Sequence, residues 1–355
     1  MTLDHDGIVA SNARKTGEQT AKVKVLVEWT TGNNLINCHW RKMADGLSDS
    51  VDGQMCWPTM EQVKEASIRT ISNERPKVVR NGLTVEFYGE DLSLDEADLI
   101  VVLNHSHKYE ATTANMHKTM FIKMEPVYFS KFWEKVEASR FRAKCGHGRH
   151  LEPVSFLNTH PPEWYLSYSR DFMRLGRGFS HLKSRGSCVS SVLSTKNMSH
   201  LHYPRQMFAL KAQNFMEWDA YGKILDLAYP GKWLNYKGEI KFKDEALVPY
   251  KYTFNCENNR IYGYTTEKLY DAILAETLCF YDGAPNVEDI VDPRAYVRIN
   301  VEDVAGSIKI ILDALADDLW EKRLPYIIAA KQRILQDDNI LLRIHKAAFK
   351  RVGKT

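Results

Sequence analysis

The chain has 355 residues, 44% apolar and 26% charged, which is the composition of a soluble globular protein long enough for two ordinary domains or one large one. Its net charge of +3 is too small to argue for a nucleic-acid partner, and no apolar run approaches the length of a membrane span. The six cysteines (Cys38, Cys56, Cys145, Cys188, Cys256, Cys279) form neither a CxxC pair nor a disulfide framework, and read as reduced thiols.

Residues 1 to about 20 are polar and aperiodic, the pattern of a terminal tail. Asp4-His5-Asp6 has the D-x-D form of a metal motif, but no hydrophobic strand precedes it and it is read as coincidence. Lys22 to Trp29 alternates and is rich in β-formers, a first strand. Thr30 to Asn34 is then the loop at its carboxyl end, where open α/β sheets place ligands, and Trp29 and Trp40 could meet a sugar there or simply pack. Leu83 to Tyr88 is a second strand, the continuous apolar run Asp98 to Leu103 a third, and Thr119 to Met124 a fourth. Met60 to Ile71 has helical composition, and the alternation of helices and strands argues for a parallel sheet.

Glu125 closes the fourth strand and is held extended by Pro126, which makes it a candidate general base, although a surface carboxylate at a strand end looks the same. His105 and His107 follow the third strand, while Cys145, His147 and His150 sit in a basic glycine-bearing loop. Neither group supplies four zinc ligands at a known spacing. Residues 140 to 186 form a basic, loop-rich connection.

Gly186 to Ser194 opens a second domain as a strand, and a helix beginning near Pro204 carries Arg205. Phe215 to Lys223 is a short strand closing on Gly222. Tyr250, Tyr252 and Phe254 mark another, which turns through Glu257-Asn258-Asn259-Arg260. Thr266 then caps a helix with Glu267 and Lys268 in its first turn and Leu269, Ala272 and Ile273 as its apolar stripe. The free N–H groups and dipole of such a helix start favour a phosphate, and Lys268 adds a full charge. Asn258 and Glu267 could bond phosphate or sugar hydroxyls, and Tyr264 offers a flat wall with a polar tip. An ordinary capped helix on a sheet shares these features. Leu278 to Tyr281 and Ala295 to Asn300 are the last strands, and Val301 to Leu315 and Trp320 to Phe349 are helical. The basic, apolar final helix would pack back on the first domain or lie peripherally on an anionic membrane.

Cys256-Glu257-Asn258 followed by Tyr264-Thr265-Thr266-Glu267-Lys268-Leu269 resembles the donor-binding signature of the α1,3-fucosyltransferases, glycosyltransferase family 10, written F-E-N…Y-x-T-E-K. Leu278 to Pro285 is similar to the family's strand closing on Gly-x-Pro, and Asp219-Ala220-Tyr221-Gly222-Lys223 to its D-x-Y-G-K strand end. Cys256 stands where the family has an aromatic residue and Cys279 where proline is common; both departures bear on sugar fit more than on phosphate binding.

The resemblance implies an α/β protein of GT-B type, two Rossmann-like domains facing across a cleft with C-terminal helices. Its parts would be a tail (1–20), an acceptor-binding domain (21–170), a linker (171–185), a nucleotide-sugar domain (186–315) and a helical segment (316–355). It implies inverting transfer of L-fucose from GDP-fucose to a hydroxyl of an acceptor glycan. Glu125 would be the base, Arg205 and Lys268 the cations on the diphosphate, and Asn258, Tyr264 and Glu267 the residues that position the donor. No metal is required by this chemistry, and stimulation by a divalent metal stays open. A transferase using a different nucleotide sugar and a non-catalytic carbohydrate-binding protein are the alternatives. Golgi members of the family carry an anchor; the amino terminus here has no apolar h-region, so the expectation is a cytoplasmic protein, or a Golgi-lumen one if an anchor was removed.

Overall fold

The structure, a computed structural model, describes residues 19–27, 75–103, 115–122, 155–157, 162, 164–166, 178–224 and 233–352. Two six-stranded sheets organise them. The first contains β1 (Gln19–Val27), β2 (Lys77–Arg80), β3 (Leu83–Tyr88), β4 (Leu99–Leu103), β5 (Thr119–Ile122) and β6 (Ser155–Leu157), in the order β2-β3-β1-β4-β5-β6. Its neighbours run parallel except β2 and β3, which form a hairpin. The hairpin turns on Asn81-Gly82, both at positive φ (52° and 75°), the conformation that matches strand twist and favours this residue pair. All of β4 is buried. Leu99, Val101 and Leu103 join the main core, while Ile100 and Val102 join a smaller cluster with Leu26, Leu92 and Phe121. Covering both faces is what a continuous apolar strand requires.

The second sheet contains β7 (Val189–Ser194), β8 (Trp218–Lys223), β9 (Tyr236–Gly238), β10 (Tyr252–Cys256), β11 (Leu278–Asp282) and β12 (Tyr296–Arg298). Every pair is parallel, in the order β12-β11-β10-β7-β8-β9. The chain winds outward from β7 to β9, returns to lay β10 beside β7, and winds outward again to β12. That reversal sets the carboxyl ends of β7 and β10 side by side, the place where doubly wound sheets bind ligands. Helices α1 (His202–Ala212), α2 (Asp244–Leu247) and α3 (Glu267–Leu274) make the crossovers. Phe208 of α1 packs on Phe254 (5.1 Å between ring centroids) and Trp218 (6.5 Å), locking helix and sheet together. Gly222 is required by close approach: at φ +103°, a Cβ there would lie 2.1 Å from the carbonyl oxygen of Leu193 in β7.

Helices α4 (Val304–Ala316), α5 (Leu319–Gln336) and α6 (Ile340–Val352) complete the chain. The single helix expected over Trp320 to Phe349 is broken at 337–339. Asn339 causes the break: its Nδ2 donates to the Ile334 carbonyl (2.8 Å) and its Oδ1 accepts from the Leu342 amide (3.0 Å), closing one helix and capping the next. Asp338 and Arg343 pair across the turn (2.6 Å). Helix α5 stays on α3 and β11, whereas α6 returns to β1, β3 and β4 of the first sheet. There Arg351 donates to the Asp98 and His117 carbonyls (2.6 and 3.0 Å). The apolar face of α6 is buried in that contact, the packing-back arrangement. Among the described residues, no helix is long and apolar enough to cross a membrane.

Candidate functional site

The second sheet delivers its signature residues to one place. Helix α3 starts at Glu267 behind Thr266, whose extended backbone and side chain cap the Lys268 amide (3.5 Å). This start lies beyond the carboxyl ends of β10 and β11, because the loop 257–266 leads directly out of β10.

The centre of the arrangement is Glu257, the residue after β10, which is 0% exposed. Its carboxylate accepts from the Thr266 amide (2.8 Å) and the Tyr281 hydroxyl (3.1 Å), and the Thr266 hydroxyl lies 2.9 and 2.8 Å from its two oxygens. The Lys268 ammonium stands 3.2 Å away. Lys268 also meets Thr266 Oγ1 (3.0 Å) and Glu267 (3.3 Å). Burial opposes its charge, but Glu257 and then Glu267 outweigh burial and hold it above the ordinary lysine range. Gly283 makes room for the cluster: a Cβ there would sit 2.3 Å from the Tyr281 hydroxyl and 2.7 Å from Glu257 Cγ.

Arg205 approaches from α1 and is almost wholly buried, with 6% exposure. One guanidinium nitrogen donates to the Cys256 carbonyl (3.2 Å) and to Asn258 Oδ1 (3.0 Å), while its buried Nε has no protein partner. His202, one turn earlier, accepts at Nδ1 from the amides of Met198 and Ser199 (3.0 and 3.1 Å). Burial, with the Arg205 charge second, pushes its pKa down to about 4. The imidazole is therefore neutral at pH 7, and with Nδ1 accepting, its proton is on Nε2. Asn258 is thus held by Arg205 of α1.

The loop 257–266 is held rigidly. Arg260 clasps Asp282 through two nitrogens (2.8 and 2.6 Å) and reaches Glu302 and Asn300 (2.5 and 2.7 Å). The Gly263 amide donates to Asn286 Oδ1 (2.9 Å). Tyr264 is buried in this loop, so most of its ring is already covered by protein. Glu267 faces Lys268 and Lys243, and Lys243 in turn pairs with Asp271 (2.8 Å), which accepts from the Tyr165 amide.

Arg205, Asn258 and Lys268 therefore come together around the Glu257 loop, with Glu267 and Tyr264 beside them. Cys256 and Cys279, the departures from the family pattern, are buried strand residues, and Cys279 accepts from Asn255 Nδ2 (3.7 Å). Asp219 of the D-x-Y-G-K run is buried and structural: Arg185 and Tyr250 each donate to it at 2.6 Å. Glu125, Trp29, Trp40, His105, His107, Cys145, His147 and His150 lie outside the described residues. The roles of Glu257 and His202 were missed from sequence. Glu257 stands in the signature itself, but its burial becomes visible only when β11 and α3 close around it. Among the described residues, no group of His, Cys, Asp and Glu has the arrangement of a metal site.

No protein-family profile matches the chain. Over 115 residues, 30% of its length, it is 32% identical to the α-(1,3)-fucosyltransferase FucT of Helicobacter pylori; the match spans 24% of that protein, about a quarter of it. Among solved structures, an α-glucosyltransferase in complex with UDP and a 13-mer DNA superposes with a TM-score of 0.52 at 8% identity, over 94% of this chain and 99% of that one. An α1,3-fucosyltransferase with GDP-fucose gives a TM-score of 0.44 at 15% identity, over 94% and 92%. The two α/β sheets, parallel apart from the β2–β3 hairpin, with closing C-terminal helices are the GT-B fold. Over the matched segment, the chain is similar in sequence to an α1,3-fucosyltransferase.

Proposed function

We propose that this chain is an inverting glycosyltransferase that moves L-fucose from GDP-fucose to a hydroxyl of an acceptor glycan. The observation that carries this reading is the meeting of Arg205, Asn258 and Lys268 beside the carboxyl ends of β7 and β10, with the Arg205 Nε buried and without a protein partner. A buried donor left unmade costs about 1–3 kcal/mol, and an anionic oxygen would satisfy it. The partial match to a fucosyltransferase supports the choice of donor.

In this reading the domain of residues 186–315 holds the nucleotide and that of residues 21–170 the acceptor. The acceptor oxygen bonds to the anomeric carbon as the bond to GDP breaks, with inversion, and Glu125 takes the hydroxyl proton. Arg205, Lys268 and the start of α3 stabilise the charge that develops on GDP. Asn258, Glu267 and Tyr264 position the donor. These cations meet the leaving group without a metal, and a divalent metal could add to them.

Calorimetric titration with GDP, UDP, CDP and dTDP tests the assignment. Selective GDP binding is expected, weakened roughly ten- to a hundredfold in Lys268→Ala and Arg205→Ala, the loss of a charge-assisted hydrogen bond. A preference for UDP or dTDP moves the donor to another sugar nucleotide. Absence of binding to all four overturns the reading.

A further inference from the structure

We propose that Glu257 is a positioning residue of the donor site, whose buried carboxylate fixes the Lys268 ammonium, in its charged form, against the start of α3. The inference rests on the reading of this end of the sheet as a diphosphate site, and adds to it the group that keeps the cation ready.

A carboxylate at 0% exposure is costly unless every lone pair is used. Here donors converge from two elements: the Thr266 amide and hydroxyl and the Lys268 ammonium at the start of α3, and the Tyr281 hydroxyl of β11. The Thr266 cap does not need the carboxylate, since Thr266 Oγ1 itself meets the Lys268 amide. What Glu257 adds is a counter-charge behind Lys268. Glu267 is a weaker substitute, because it is partly exposed and is shared with Lys243.

The arrangement also survives a change of partner. If the ammonium leaned toward a diphosphate oxygen, the carboxylate would keep the Thr266 amide, the Thr266 hydroxyl and the Tyr281 hydroxyl. Glu257 is therefore not stranded when Lys268 engages a ligand, which a simple two-member buried pair could not achieve. No proton moves in this scheme.

The groups that set the charge of Lys268 are Glu257 from the loop after β10, Glu267 from α3 and Arg205 from α1, with Lys243 and His202 as further neighbours. Both carboxylates raise its pKa, so its charge is complete at pH 7 and is lost only as pH rises through that elevated value. Removing the Glu257 charge leaves burial less opposed and moves the loss to lower pH.

The test is GDP titration of wild type, Glu257→Gln, Lys268→Ala and the double variant, between about pH 6.5 and 10.5, with melting temperature recorded for each. Relative to the Lys268→Ala profile, which carries the ionisation of the guanine base, wild-type affinity should hold through the ordinary lysine range, near 10.4. Glu257→Gln should bind about tenfold more weakly at pH 7 and lose further affinity within this window, where wild type does not, and the double variant should be no worse than Lys268→Ala. A lower melting temperature with unchanged GDP affinity and pH profile makes Glu257 merely structural and overturns the inference, leaving the proposed function standing. Failure of wild type to bind GDP sinks both. Should Glu257→Gln not fold, acetic anhydride labelling of wild type decides without nucleotide: Lys268 should become reactive only above the ordinary lysine range, and earlier reaction overturns the inference.

Discussion

Helix α3 has a buried glutamate–lysine pair near each end, and the two differ in what they leave accessible. Beyond its carboxyl end, Glu276 and Lys331 meet at 2.9 Å with side-chain exposures of 1% and 0%. At its amino end, Glu257 and Lys268 meet at 3.2 Å with exposures of 0% and 20%. Burial pulls Lys331 below the usual lysine range against the opposing charge of Glu276. At Lys268 two carboxylates reverse that balance. Glu276 also accepts from the amides of Phe179 and Ser180 (2.6 and 3.1 Å), and sits at φ +56°, a left-handed position that glycine would fill more easily. That pair is closed on itself and pins the 178–184 segment to α3 and α5. The amino-end pair is open on the side of its cation. A buried ion pair is thus a clasp or a binding device according to which of its members reaches solvent.

The same substitution at each lysine separates the two roles. Lys331→Met strips the ammonium from Glu276 Oε1 and leaves the buried carboxylate with amide donors on its other oxygen alone, and should cost about 3–5 kcal/mol of unfolding free energy, with GDP affinity unchanged in the folded fraction. Lys268→Met leaves Glu257 with its other donors, so its stability loss should be smaller, while GDP affinity falls by about 1.5–3 kcal/mol. Urea denaturation and calorimetry on the two variants give the four numbers. If Lys331→Met weakened GDP binding as much as Lys268→Met, the distinction between clasp and device would collapse.

The packing around the open pair offers a finer cut. Gly283→Ala places a methyl carbon 2.3 Å from the Tyr281 hydroxyl and must push it or Glu257 aside, at about 1–3 kcal/mol of stability. Because the displaced groups hold Lys268, GDP affinity should fall with it. A stability loss without a binding loss would mean that Tyr281 moves and the Glu257–Lys268 contact does not.

Much of this was legible beforehand where local chemistry and long-range contacts agree. Strand β4, with its unbroken apolar run, and helix α3, with its Thr266 cap and its Leu269, Ala272, Ile273 stripe, fall where the sequence places them. Two misses had signals that went unread: Asn81-Gly82 announces the β2–β3 hairpin, and Asp337-Asp338-Asn339 interrupts a helix and offers a cap. Strands β6 and β9 have only three residues each, too few for any period to show. The site was legible as a motif, and Lys268, Arg205 and Asn258 do come together. The burial of Glu257 was not, since a charged residue in a polar turn reads as solvated until residues 9 to 26 positions away supply its donors and its space.

The smallest effect on binding concerns the cap. Thr266→Ala removes an N-cap worth about 1 kcal/mol, and so does Asp303→Ala at α4, where Asp303 Oδ1 accepts from the Gly306 amide (3.1 Å). The stability loss should be larger for Thr266→Ala by about 1–2 kcal/mol, because its buried hydroxyl also donates to Glu257, whereas Asp303 satisfies one orphan amide. Their effects on the ligand should differ. Thr266 Oγ1 bridges Glu257 and Lys268, so its loss lets the ammonium wander and should weaken GDP binding severalfold. Asp303→Ala should leave binding unchanged. Equal binding in the two variants would mean that the Glu257–Lys268 contact alone positions the cation and that the hydroxyl serves only the helix.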